Sequence, residues 1–254
     1  MNLQKGIFIL NSYQVSSTDN SLVSRIDTRA LMTITVIFIF FILILPLENP
    51  ERVIWFAIYP IIMSPLSNQT YSSVFRKSLI VLPFILFIGI FNPIYDKRLA
   101  FDVMNVGISY GWLSFFTILV RGLLATQSII ILIKTSGFIN ICNALASLHF
   151  PKVFTTQLLL LYRYLGLLLE EASNIHHAII SRGYGKKSFP IKMWANITGS
   201  LLIRTFERSK RIHNAMLARG FDGTIPLGVY LRWTNKDTLF CLIWLSIFFI
   251  LYFI

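Results

Sequence analysis

Thr238-Leu239-Phe240-Cys241-Leu242-Ile243-Trp244-Leu245-Ser246-Ile247-Phe248-Phe249-Ile250-Leu251-Tyr252-Phe253-Ile254 runs for 17 residues without a charge. An apolar helix needs ~20 residues to cross the hydrocarbon of a bilayer, and a helix satisfies every backbone polar group internally where no water is present. The stretch therefore predicts a membrane-crossing helix that leaves the C-terminus outside. Three more runs read the same way: Leu31 to Leu47, Leu79 to Ile94 and Trp112 to Ile133. The whole chain agrees with them. Its 254 residues are 55% hydrophobic and only 13% charged, with a mean hydropathy of +0.67, too apolar for a water-soluble domain of this size.

Outward from these runs, charge sets the topology. Of 23 Lys and Arg residues, 11 lie between Arg182 and Lys236, against Glu207 and Asp222 as the acids there. By the positive-inside rule that segment is cytoplasmic, and the net charge of +12 belongs to membrane orientation and lipid phosphate rather than to nucleic acid. Asp27 stands where it would cap the first helix. Val53 to Leu66 is apolar but short for a span and holds Pro60 and Pro65. Pro83, Gly89 and Pro93 predict a kinked third run, reached after Arg76 and Lys77 on the basic side. Tyr95 to Tyr110 reads as a loop, and Ile139 to Phe150 as an interfacial or re-entrant piece.

Two long segments follow, Pro151 to Arg182 and Pro190 to Arg219, each opening on Pro and stopping before Gly as helix ends prefer. At ~48 and ~45 Å they exceed the ~30 Å hydrocarbon core, so neither is an upright span. In the first, Leu161, Leu165, Leu168, Ala172, Ile175 and Ile179 recur every three or four residues and make a helix-packing seam. The second is apolar from Trp194 to Ile203 and basic from Arg204 to Arg211, the pattern of a helix dipping into a lipid surface. The reading divides the chain into a transmembrane region (1–150), a cytoplasmic helix region (151–237) and a last transmembrane helix (238–254). The fold class is an all-α integral membrane protein: a bundle of about five transmembrane helices with two long cytoplasmic-side helices.

Both long segments end on the same pattern. His176-His177-Ala178-Ile179-Ile180-Ser181-Arg182-Gly183-Tyr184 and His213-Asn214-Ala215-Met216-Leu217-Ala218-Arg219-Gly220-Phe221 are offset by 37 residues throughout. Gly just past a helix closes it in the left-handed conformation, and the small residue before Arg keeps the tip narrow. Arg at the negative end of the helix dipole can grip a carboxylate with two hydrogen bonds. One Arg-Gly ending is ordinary capping. Two, on matched amphipathic helices, point to a pair of docking tips.

Ser181-Arg182-Gly183 and Ala218-Arg219-Gly220 resemble the paired motifs of the transmembrane coupling (T) components of energy-coupling-factor transporters, importers of the ABC class. Ser181 stands where that pattern has Ala. The longer run from Ala215 to Gly223 is similar to the cobalt-transport (CbiQ) type, as are Arg163-Tyr164-Leu165 and Glu170-Glu171-Ala172. Ser24-Arg25-Ile26-Asp27-Thr28-Arg29 resembles its Leu-Asp-Pro-Arg opening, with Thr28 in place of Pro. The resemblance implies two cytoplasmic ATP-binding subunits that receive the tips, a substrate-capture membrane subunit, and a prokaryotic plasma membrane. It implies cobalt as cargo, with nickel or a vitamin as alternatives, and a chain that carries no cofactor and catalyses nothing.

The remaining polar and ionisable residues offer few candidates for chemistry of their own. Arg121 sits mid-span, where an ionised group is paired or functional. His176 and His177 are adjacent and point to different sides of a helix, unlike metal ligands at i and i+4. Cys142 and Cys241 have no CxxC context. No phosphate loop or nucleophile arrangement is present, which weakens the rival reading of a membrane enzyme acting on lipid-linked phosphates.

Overall fold

The computed structural model of the chain describes residues 23, 26–47, 50–96, 99–103, 106–148, 150–181, 191–223 and 233–253. They fall into two compact units, one within 145–230 and the other within 16–144 and 231–254.

In the latter unit, α1 (Thr28–Ile44) starts at Asp27, whose side chain accepts from the Arg29 backbone N–H and caps the helix as its position predicts. Leu31, Ile34, Thr35, Phe38 and Ile42 are buried along one stripe, the spacing of a single helical face. The run from Val53 to Leu66 is not one helix but two, α2 (Pro50–Trp55) and α3 (Ile58–Leu66). The cause is Pro60, which has no N–H for the Phe56 carbonyl and whose ring would strike it in a continuous helix. The chain turns instead at Phe56 and Ala57, with Tyr59 N bonded to Phe56 O at 3.2 Å.

α4 (Tyr71–Ser78), a 3₁₀ turn at Leu79–Val81, α5 (Leu82–Gly89) and α6 (Phe91–Tyr95) form one helical stretch of 25 residues. Pro83 cannot donate to Leu79 O, which explains the tightened turn just before it. The stretch begins at Tyr71 rather than Leu79, so Arg76 and Lys77 lie inside it rather than before it. The segment expected as a loop holds an antiparallel ribbon, β1 (Leu99–Val103) with β2 (Val106–Ser109), paired from Val103 with Val106 to Leu99 with Ser109 through an irregularity near Phe101. This small ribbon interrupts an otherwise α-helical protein.

α7 (Tyr110–Ser136) packs against each of α1 to α6. α8 (Phe138–Ser147) follows; α9 (Lys152–Ser181) and α10 (Ile191–Ala218) belong to the other unit, and α11 (Asn235–Phe253) returns to the first. Three stretches among the described residues are long and apolar enough to cross a membrane: Tyr71–Tyr95, Tyr110–Ser136 and Asn235–Phe253. Thr28–Ile44 and Phe138–Ser147 are apolar but shorter.

An aromatic cluster ties α1, α3 and α11 together. The ring centre of Phe38 lies 4.4 Å from Tyr59 and 5.5 Å from Phe248, and Trp244 meets Tyr59 edge-on at 4.8 Å. Between helices already in lipid, such close packing rather than escape from water supplies the attraction. At the ends of α1 and α11 a polar clamp adds to it. Asp237, 2% exposed, accepts from Asp27 N at 2.8 Å and from Thr234 N at 2.7 Å. Arg29 closes an ion pair with Asp27 at 3.0 Å and lies 6.0 Å from the Trp233 ring centre. One buried carboxylate thus serves orphan N–H groups at the starts of two helices.

Candidate functional site

The C-terminus of α10 has the geometry its sequence predicts. Gly220 is left-handed, at φ +81°. Its N–H donates to Leu217 O at 3.0 Å, and Phe221 N–H reaches back to Met216 O at 3.0 Å. These two bonds are the paired closure of a Schellman cap. Met216 and Phe221 line one crevice, as the apolar contact of such a cap requires. Ala218 ends the helix and is exposed, and Arg219 follows, exposed and without an ion pair among the described residues. The cap spends the backbone groups on one another and leaves the guanidinium fork available for an outside acid.

The other copy is described up to Ser181, the exposed last residue of α9. Arg182 and Gly183, predicted as its Arg tip and cap, lie outside the described residues.

α9 and α10 run antiparallel. Leu160, Arg163 and Tyr164 near the start of α9 face Ile212, Met216 and Arg219 near the end of α10 across an open crevice of about 900 Å³. Farther along, Asn174, Ile175 and Ala178 share a second crevice with Met193, Ile197 and Ser200. Between the two, Glu171 and Arg204 form an ion pair at 3.2 Å. Both partners are substantially exposed, so the pair adds at most ~1 kcal/mol. The two repeated endings therefore stand at opposite ends of the helix pair. From the level of Tyr164 to Ser181, α9 rises roughly 25 Å.

Along the expected seam, Leu161 is 59% exposed, and Leu165, Leu168, Ala172 and Ile175 are half-buried. Of these, Leu168 and Ile175 line crevices toward α10. The side chain of Ile179 lies outside the described residues. The face of α9 that meets α10 also includes Leu160, Tyr164 and Leu167, one position round the helix from the predicted row. Reading apolar spacing alone missed Tyr164 and Glu171, because both are amphipathic or charged. The signal available was their i, i+7 spacing along one face.

Arg121 finds its partners in backbone. Its guanidinium donates to Leu45 O at 2.8 Å and to Leu43 O at 3.3 Å, carbonyls at the end of α1 that have no acceptor role left within the helix. Among the described residues no cluster of His, Cys, Asp and Glu could hold a metal ion.

A sequence model of the CbiQ family, described as cobalt transport protein, matches residues 19–227. The chain belongs to this family. Both helix-end repeats, 176–184 and 213–221, fall inside the matched range. Among relatives, the chain is similar to a putative fused cobalt transport protein CbiMQ of Methanocorpusculum labreanum, with 31% identity over 111 residues, 43% of this chain and 18% of that protein. The chain thus aligns with less than a fifth of the length of this fused relative. It is 28% identical over 226 residues to the energy-coupling factor transporter transmembrane protein EcfT of Leuconostoc gelidum subsp. gasicomitatum, covering 83% of this chain and 84% of the relative. It is 26% identical over 236 residues to EcfT of Bacillus subtilis, covering 86% and 88%. The CbiQ-family chain is accordingly a membrane-embedded protein.

Proposed function

We propose that this chain is the transmembrane coupling subunit of an energy-coupling-factor importer, carrying motion from two cytoplasmic ATP-binding subunits to a substrate-capture membrane subunit. The observation that carries the reading is the family match through both helix-end repeats, joined to an Arg-tipped, Schellman-capped α10 whose tip stands at the far end of α9 from Ser181. Arg182 and Arg219 each enter an acidic groove of one ATPase. Ser181 and Ala218 keep the tips narrow, and Gly183 and Gly220 close them. When the ATPases close on nucleotide, the anchored tips are drawn together, and the paired bodies of α9 and α10 shift the capture subunit against the bilayer. The row from Leu161 to Ile179 transmits that shift. ATP is hydrolysed on the partners, and this chain catalyses nothing.

Cobalt is the cargo that the family description favours. The two relatives matched over most of their length carry a name without an ion, which keeps nickel or a vitamin as the second reading. The capture subunit makes that choice.

The experiment is charge reversal at both tips. Arg182→Glu together with Arg219→Glu is expected to release the ATPases on purification and abolish uptake, with the chain still in the membrane. An assembled, active complex would sink the anchoring role. Uptake of labelled cobalt, nickel and vitamins by the intact complex separates the cargoes.

A further inference from the structure

Arg163 and Tyr164 of α9 line the same open crevice as Met216, Arg219 and Phe221, which belong to the tip of α10 and its cap. Met216 and Arg219 are three residues apart, so a single face of the chain at this end supplies both the apolar contact and the cation. Arg163 and Arg219 are exposed, and neither forms an ion pair among the described residues. Asp222 is the one carboxylate among the described lining residues. It follows the cap, and no ion pair joins it to either arginine. The two helices therefore offer one guanidinium each to a shared opening.

The position of the crevice indicates what fills it. Arg219, Gly220 and Phe221 are both its lining and the end of α10, so a partner that closes over the tip also meets Arg163. A soluble anion would engage the guanidinium groups and leave Met216 and Phe221 in water, whereas an acidic protein segment with an apolar flank engages both. Each planar fork holds a carboxylate by two hydrogen bonds, and the Tyr164 phenol can donate a third. We infer, resting on the docking role proposed above for Arg219, that the crevice receives an acidic segment of the ATP-binding subunit that takes this tip, with Arg163 as a second anchor carried by α9. A partner held at both helices grips the start of α9 and the end of α10 together, so the pair moves as one body where a single tip would pivot.

The test titrates the ATP-binding subunits that co-purify with the wild-type complex onto the full-length chain in detergent, at low and at high salt. Arg163→Gln is expected to weaken association about three- to ten-fold at low salt, with a smaller deficit at high salt because an exposed charge pair is screened. Arg163→Lys should recover part of the loss. Lys210→Gln removes an exposed cation of α10 that is not part of the crevice lining and should change affinity less than about two-fold. Tyr164→p-benzoylphenylalanine should, on illumination, crosslink to an Asp- or Glu-containing segment of an ATP-binding subunit, mapped by mass spectrometry; this readout decides the matter if Arg163→Gln destabilises the fold. An Arg163→Gln chain that binds as tightly as Lys210→Gln, while Arg219→Gln binds weakly, overturns the crevice and leaves the tip reading standing. A loss indifferent to salt, or a probe that crosslinks only to lipid or not at all, overturns it as well. If Arg219→Gln also binds like wild type, the tip reading falls with it.

Discussion

Gly220 offers the sharpest test of the tip, because its constraint is purely one of backbone. It sits at φ +81°, and a Cβ added there would meet nothing within 4 Å. Ala therefore clashes with no neighbour and carries only the left-handed penalty, ~1–2 kcal/mol for an L residue. Val lies at or above the upper end of that range, since β-branching is least tolerated at positive φ. Asn tolerates the region and loses little. In the unbound chain the strained cap escapes by fraying, giving up the bond from Phe221 N–H to Met216 O. Docking has to rebuild it, so the strain reappears as weaker binding, and 1.4 kcal/mol is a factor of about ten. Gly220→Ala should weaken association with the ATPase pair about five- to ten-fold, Gly220→Val about thirty-fold, and Gly220→Asn less than about three-fold. The measurement is a titration of the ATPases onto the purified chain by biolayer interferometry, with circular dichroism to confirm unchanged helix content. Equal losses for Ala and Val, or an Asn variant as poor as Val, would refute a left-handed cap as the docking element.

Three further outcomes concern the bundle. Arg121→Met removes two charged hydrogen bonds to the end of α1 and should cost about 2–3 kcal/mol, read as a lower thermal midpoint in detergent, with Arg121→Lys recovering part of it; a Met variant as stable as wild type would show the pairing to be idle. Gly111→Ala places a Cβ 2.6 Å from the Asn92 and Asp96 carbonyl oxygens, which are backbone and cannot rotate aside. It should destabilise by ~3 kcal/mol, more than Gly122→Ala, which meets only the movable end of Ile85; the reverse order would contradict the close approach of α6 and α7. Asp237→Ala leaves the Asp27 and Thr234 N–H groups without their acceptor and should lower stability by about 1–3 kcal/mol. Asp237→Asn keeps one carbonyl oxygen and should lose less, and equal melting of the two variants would argue against the clamp.

What the sequence made legible was local. Apolar runs located α1, α7 and α11, Pro83 announced the kink, Asp27 its cap, and Gly220 its Schellman closure, because each depends on residues within one or two turns. Pro60 marked the run from Val53 to Leu66 as interrupted, and the break falls at Phe56 and Ala57, one turn before it. The ribbon at Leu99–Val103 and Val106–Ser109 escaped notice because two strands of four and five residues give a short pattern, and pairing rather than propensity makes them strands. The partners of Arg121 lie 76 and 78 residues away and are backbone carbonyls, which no residue type signals. The same limit applies to Asp237: three residues past Thr234 it reads as a helix cap, but its second bond reaches across 210 residues.

That second bond bears on the coupling role proposed above. The chain passes from the unit holding α9 and α10 back to the bundle at residues 230 and 231, and Trp233, Thr234 and Asp237 are the first described contacts after the crossing. A moving helix pair transmits displacement only if its return does not fray, since a loose joint absorbs motion as local unfolding. The described residues that follow the crossing are held at the start of α11. The Asp237 carboxylate is buried with both oxygens engaged, Trp233 is held by a bond to Thr238 at 2.9 Å, and the Arg29 guanidinium lies 6.0 Å from its ring centre while paired to Asp27. Among the described residues, α3, α4, α5 and α7 begin without a side-chain cap bond. Among the helix starts whose caps are described, those of α1 and α11 are joined by one buried carboxylate.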